Sequence, residues 1–169
     1  GEEAWWRNYM QKPKTSTLVV FSDNGIQSCQ NYERSLNHTY DQQPLFNNDC
    51  DLYLIHWPAP LRDDYVATWL ALEELHAQGL AKAIGVSNFE PEHLEKIMEA
   101  SSITPAINQV ELHPAFQQRT LRAFQEPLGN ITEAWGPLGQ GKYELSELPG
   151  LVDLAKAKGR SIQQIVLRW

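Results

Sequence analysis

Polar and aromatic side chains stand at the ends of successive short apolar runs. His56 closes DLYLIH, Asn88 follows Ser87 at the end of AKAIGVSN, Gln109 and Glu111 lie in AINQVEL, and Trp135 closes NITEAW. An Asn or Gln amide offers both a donor and an acceptor, the complement of another carboxamide. An indole face stacks on a flat heterocycle with little loss of freedom. Ser87, Asn88, Gln109 and Trp135 together therefore suit a planar ring that carries an amide. His56 suits donation to a carbonyl oxygen on which negative charge develops. Each residue also has a plainer reading. The amides can form a polar layer inside the fold, and His56 can be a neutral imidazole satisfied by a backbone carbonyl under the Trp57-Pro58 turn. His113-Pro114 reads as a strand-ending turn, and His38, His76 and His93 fall on polar faces.

The stretch Gly136-Pro-Leu-Gly-Gln-Gly-Lys142 starts like a phosphate-cradling G-x-x-x-x-G-K loop. Tyr143 stands where the Mg²⁺-binding Ser or Thr belongs, Pro137 removes a backbone N–H, and no helix follows at once. Nucleotide hydrolysis is therefore not expected. A glycine-bearing loop whose amides and Lys142 approach a pyrophosphate is still consistent with the segment. No intact G-x-G-x-x-G is present, which argues against a doubly wound dinucleotide fold. Cys29 and Cys50 form no C-x-x-C pair and have no His at ligand spacing, so no metal site is expected.

The elements that must position these residues alternate regularly from residue 51. A buried strand at Asp51–Trp57 ends before Pro58 and Pro60. Asp63 and Asp64 can cap a helix with Val66, Trp69, Leu70, Leu72 and Leu75 at helical spacing, stopped by Gly79. Strands follow at Ala81–Asn88, Ala106–Leu112 and Asn130–Trp135. Between them come a helix opened by Glu90-Pro91, with Leu94, Ile97 and Met98 on one face, and another near Gln117–Gln125. Leu151–Lys158 and Ser161–Trp169 read as further helices. Alternation of this kind predicts a parallel α/β sheet. Polar residues gathered at the strand ends favour a closed barrel, whose chemistry sits at that mouth. Residues 1–50 pattern poorly. Leu18–Ser22 suits a strand and Tyr32–Leu36 a helix, the Gln-, Asn- and Ser-rich residues between them show no clear periodicity, and Gln42-Gln43-Pro44 and Asn47-Asn48 read as loop.

With 169 residues the chain forms one domain. A hydrophobic fraction of 42% and six Trp indicate a packed core, and a net charge of −7 argues against nucleic acid or an anionic membrane as partner. No leader peptide or spanning apolar run is evident, and the two thiols suit a reducing compartment, so a cytoplasmic monomer is expected. Two glycosylation-type triplets, at Asn37 and Asn130, have no other support for secretion.

DLYLIHWP (51–58), KAIGVSNF (82–89), NQVELHP (108–114) and EAWGPLGQGK (133–142) resemble, in order and spacing, the signature segments of the aldo-keto reductase family. The likeness covers 51–169, and WGPLGQGKY is similar to bacterial 2,5-diketo-D-gluconate reductases. The resemblance implies a (β/α)8 TIM barrel and NADPH-dependent reduction of a small aldehyde or ketone, with diketo sugar acids a candidate class. It carries over His56 as the catalytic histidine and Ser87, Asn88 and Gln109 as carboxamide ligands. It carries over Trp135 as the stacking ring, Gly136, Leu138, Gln140 and Lys142 as the pyrophosphate loop, and Trp57 as a substrate-pocket residue. The family's catalytic Asp and Tyr fall before the part matched by Gly1–Ala4, and its final strand falls after Trp169. Leu18–Asn24 holds no Lys where the family pattern has its catalytic one. An incomplete portion of the barrel, lacking the first strands and the last, is therefore expected. The alternative is a catalytically inactive, cofactor-binding or regulatory member of the same fold.

Overall fold

The computed structural model describes residues 18–22, 25–29, 50–61 and 63–169. The helix expected at Tyr32–Leu36, together with His38, lies outside the described residues. The strands are β1 (Leu18–Ser22), β2 (Gly25–Cys29), β3 (Cys50–Ile55), β4 (Ala81–Ser87), β5 (Ile107–Glu111) and β6 (Ile131–Trp135). The helices are α1 (Tyr65–Ala77), α2 (Pro91–Ala100), α3 (Arg119–Gln125), α4 (Leu151–Lys158) and α5 (Ile162–Arg168). The strands form one six-stranded sheet in the order β2-β1-β3-β4-β5-β6.

From β3 to β6 all pairings are parallel, and neighbours in space are neighbours in sequence. A doubly wound sheet reverses its strand order at a switch point, whereas sequential parallel order is singly wound, as in a barrel. The helices agree. Tyr53, Ile55, Ile84, Val86 and Val110 all pack on one face of the sheet against Trp69, Leu72, Leu94, Ile97 and Leu121. These β/α units are a portion of a (β/α)8 barrel, with the helix layer outside.

The first two strands depart from the parallel expectation. β1 pairs antiparallel with both β2 and β3. Only two residues separate Ser22 from Gly25, far fewer than the dozen or so that a parallel crossover needs. The dipeptide Asn24-Gly25 is itself a hairpin signal.

Strand alternation places Leu54, Gly85, Ser87, Gln109 and Glu111 on the inner face. Packing there is close: a Cβ on Gly85 would stand 2.7 Å from both Leu54 Cδ2 and Ile107 O. On the outer face the fully buried Trp69 contributes roughly 2–3 kcal/mol by leaving water, the largest such side chain in the core.

Three local expectations need correction. Asp64 occupies the N-cap of α1, but its side chain makes no capping bond, because its backbone is already helical at φ −106, ψ −4. Leu70 faces outward, 39% exposed. His93 is buried rather than on a polar face. Its ring meets Tyr65 and Phe89 edge-on, and its Nδ1 accepts the Glu90 N–H at 3.1 Å, closing a capping box on α2. Burial lowers the His93 pKa below its ordinary value.

Candidate active site

The inner-face residues meet at the C-terminal ends of β3 to β6, and one side chain ties them together. Asn88, immediately after β4, has φ +61, a left-handed conformation that Asn tolerates better than most residues. Its backbone N–H donates to Gln109 O at 3.0 Å. Its Nδ2 donates to His56 O and to Ser87 Oγ, each at 3.0 Å, and its Oδ1 accepts Trp135 Nε1–H at 2.8 Å. Ser87 Oγ–H donates in turn to Gln109 O at 2.7 Å. One amide thus links the ends of β3, β4 and β6, and two bonds to a single carbonyl fix β5 beside them.

The donor count shows what remains for a ligand. Both Nδ2 protons of Asn88 and the hydroxyl proton of Ser87 are spent within the protein, and one acceptor position remains on Asn88 Oδ1. Ser87 is buried, its hydroxyl bonded to both Asn88 and Gln109. Gln109 is half-buried, and among the described residues no hydrogen bond reaches its side-chain amide. Trp135 is half-buried, with its indole edge pinned. His56 is half-buried next to the buried Trp57, ring centroids 6.1 Å apart. The structure therefore brings Ser87, Asn88, Gln109, Trp135 and the backbone of His56 into one cluster, and gives Trp57 only 8% exposure.

A second polar group supports this cluster from the helix side. Asn108 Nδ2 donates to Phe89 O at 2.9 Å and to Gln125 Oε1 at 2.7 Å, while its Oδ1 accepts Phe89 N–H at 3.3 Å. Gln125 Nε2 continues to Thr132 Oγ1 at 2.9 Å. Asn108 and Gln125 are fully buried, so the residue after Asn88 is fastened to β5, α3 and β6 at once.

Beyond β6 the chain turns through Gly136, Gly139, Gln140 and Gly141, all at positive φ. Gly139 N–H bonds to Gly136 O at 2.8 Å and Lys142 N–H to Gly139 O at 2.9 Å, so the segment is two tight turns. The next α-helix starts only at Leu151, and the geometry of a phosphate loop feeding a helix is not formed. Leu138 and Gln140 are exposed at the surface of this loop. Lys142 Nζ pairs with Glu111 at the end of β5, directly opposite Trp135. Glu111 Oε1 also lies 3.2 Å from His113 Nε2, and Tyr143 Oη is 2.9 Å from His113 Nδ1. The roles of Glu111, His113 and Tyr143 were missed from sequence. The only signal was the i, i+2 spacing of Gln109, Glu111 and His113, which puts all three on one face of extended chain.

Among the described residues no cluster of His, Cys, Asp and Glu is arranged to hold a metal ion, and no helix is long and apolar enough to cross a membrane. Asn130, of the second glycosylation-type triplet, is buried, with its Nδ2 donating to Pro105 O at 2.6 Å.

Singly wound β/α units here gather amides, an indole and a histidine at the C-terminal ends of the parallel strands. The model of the aldo/keto reductase family matches residues 22–169, and the chain belongs to that family. An aldo-keto reductase of Mycolicibacterium smegmatis is 48% identical over 119 residues, 70% of this chain and 42% of that protein. The methylglyoxal reductase DkgA of Escherichia coli K12 is 45% identical over 119 residues, 70% of this chain and 43% of its own length. Among solved structures, a variant of Gox0644 in complex with NADPH shares 51% identity with a TM-score of 0.67, covering 71% of this chain and 44% of that one. The chain thus spans less than half the length of these relatives.

Proposed function

We propose that this chain supplies the nicotinamide subsite, the pyrophosphate loop and the carbonyl-orienting histidine of an NADPH-dependent reductase of small aldehydes and ketones. The observation that carries the reading is the Asn88 junction. It spends its donors on the protein, keeps one acceptor position, and stands between a pinned indole and the Gln109 amide. That residual set matches a carboxamide. Asn88 Oδ1 and Gln109 Oε1 can accept its N–H groups, and Gln109 Nε2 can donate to its oxygen. The Trp135 face offers the stacking surface.

When bound, NADPH supplies the reducing equivalent. The protein's share is orientation. His56 donates to the carbonyl oxygen and stabilises charge that develops there, a contribution that grows as the site excludes water. Lys142 and the loop amides not spent in its two turns would hold the anionic part of the dinucleotide. The NADPH-bound Gox0644 variant supports the cofactor, and the name of the E. coli relative supports small dicarbonyls as substrates.

The test has two arms. NADPH titration should quench tryptophan emission, and Trp135→Ala should remove most of the response. Absence of any NADPH binding would overturn the reading. Steady-state NADPH oxidation with methylglyoxal should fall strongly in His56→Gln with cofactor affinity retained. Turnover in His56→Gln equal to that of the unaltered protein would leave the dinucleotide subsite standing and refute the catalytic assignment of His56.

A further inference from the structure

We infer that Glu111 and His113 are positioning residues: a buried clasp that holds the Gly136–Tyr143 loop through Lys142 and Tyr143. The second half of the inference rests on the proposed function: through Lys142 the clasp sets the grip on the dinucleotide's anionic part.

The loop has little of its own to hold it. Its turns are tight but local, and Leu138, Gln140, Gly141 and Lys142 are exposed. Among the described residues, the end of β5 supplies side chains that hold it. Glu111 is a carboxylate with only 4% of its side chain exposed, and a buried charge is tolerated only when paired and hydrogen-bonded. Its partners here are Lys142 directly and His113 at 3.2 Å. One neutral tautomer satisfies the whole chain: His113 Nε2–H donates to Glu111 while Nδ1 accepts the Tyr143 hydroxyl at 2.9 Å. Both routes from Glu111 therefore end on consecutive residues of the same loop.

The platform is rigid. His113 and Phe116 exchange backbone bonds at 3.1 and 2.8 Å, which fixes the His113 backbone. The Tyr143 ring lies 5.2 Å from the His113 ring, centroid to centroid, and packs on Gly139, where an added Cβ would stand 2.5 Å from Tyr143 Cε1. Gly139 thus serves twice, as a residue at φ +79 and as the floor beneath Tyr143.

The clasp is read by limited trypsin digestion of the purified protein without cofactor. Cleavage after Lys142 is compared with cleavage after Arg119 and Arg122 in α3. In Glu111→Gln the Lys142 cut should speed up about tenfold while the α3 cuts stay constant, the effect expected for one charge-assisted bond lost. Tyr143→Phe removes only a partly exposed hydroxyl and should move the same cut by a smaller factor, which keeps the test valid if Glu111→Gln folds poorly. Cuts that rise in step at all sites, or a Lys142 cut that does not change, overturn the clasp. The second arm measures NADPH affinity by tryptophan quenching. Glu111→Gln and Lys142→Met should each weaken binding, and the double variant should bind no more weakly than Lys142→Met alone. Tighter binding in Glu111→Gln refutes the positioning role. A selective change in cleavage with NADPH affinity unaltered in Glu111→Gln and Lys142→Met keeps the clasp and rejects the pyrophosphate assignment of Lys142.

Discussion

Replacing Asn88 with Ala tests the junction most directly, because two separable costs act at that position. The first is the loss of three side-chain hydrogen bonds, to His56 O, Ser87 Oγ and Trp135 Nε1. A neutral bond contributes roughly 0.5–1.5 kcal/mol net. His56 and Trp135 are half-buried, so water can reach part of what is stranded, and about 2 kcal/mol in total is the appropriate figure. The second cost is backbone. At φ +61 an Ala is strained by about 1 kcal/mol where Asn is tolerated and Gly is free. Asn88→Ala should therefore lose about 3 kcal/mol of unfolding free energy, and Asn88→Gly about 2. Urea denaturation followed by far-ultraviolet circular dichroism measures both from the shift in midpoint at constant slope. If Ala is as stable as Gly or more so, the left-handed assignment is wrong. If both lose less than about 0.5 kcal/mol, the three bonds are not holding the strand ends.

Asn108→Leu should cost about 4 kcal/mol in the same assay, because it leaves Phe89 N, Phe89 O and Gln125 Oε1 buried without their partner. Near-wild-type stability would refute the relay. Gly85→Ala should cost roughly 1–3 kcal/mol through its 2.7 Å approach to Ile107 O and Leu54, whereas Gly79→Ala, with open space but φ +73, should cost only about 1, and equal costs would show that the inner face has room. His93 contributes a pH dependence with a definite sign. Burial lowers its folded pKa, so the unfolded chain binds the proton first. Its stabilisation is complete above the ordinary value of 6.5 and declines as pH falls from there to the lower folded value. His93→Phe should flatten the stability-against-pH slope in that acidic window, and an unchanged slope would refute the assignment.

Much of the barrel was legible because its units announce themselves locally. Ile55, Ser87, Glu111 and Trp135 end strands where polar residues, Pro or Gly interrupt apolar runs, and the observed ends fall within two residues of the expected ones. The hairpin of β1 and β2 carried its own signal in Asn24-Gly25, but β2 (GIQSC) has no apolar/polar alternation to mark it as a strand. His93 was misplaced because residue type alone assigns imidazole to a polar face, while Phe89 and Tyr65 fold around it. The cluster of Asn88, Gln109 and Trp135 could be expected from strand-end positions, since parallel strands carry equivalent residues to one mouth. The Glu111–His113–Tyr143 chain could not, since it depends on a loop returning across 30 residues to meet a strand end. No periodicity encodes such a contact.

The two hydrogen bonds converging on Gln109 O have a thermodynamic consequence. They immobilise the Gln109 backbone while its amide stays without an internal bond among the described residues. Trp135 and Asn88, by contrast, are already locked to each other. A flat ring entering this mouth would need to order a single glutamine side chain, an entropic charge of roughly 0.5–1.5 kcal/mol, because the remainder was ordered during folding. On the proposed function, folding stability and ligand affinity are linked at the strand ends, and loosening the Asn88 junction should appear in calorimetry as a more unfavourable entropy of NADPH binding.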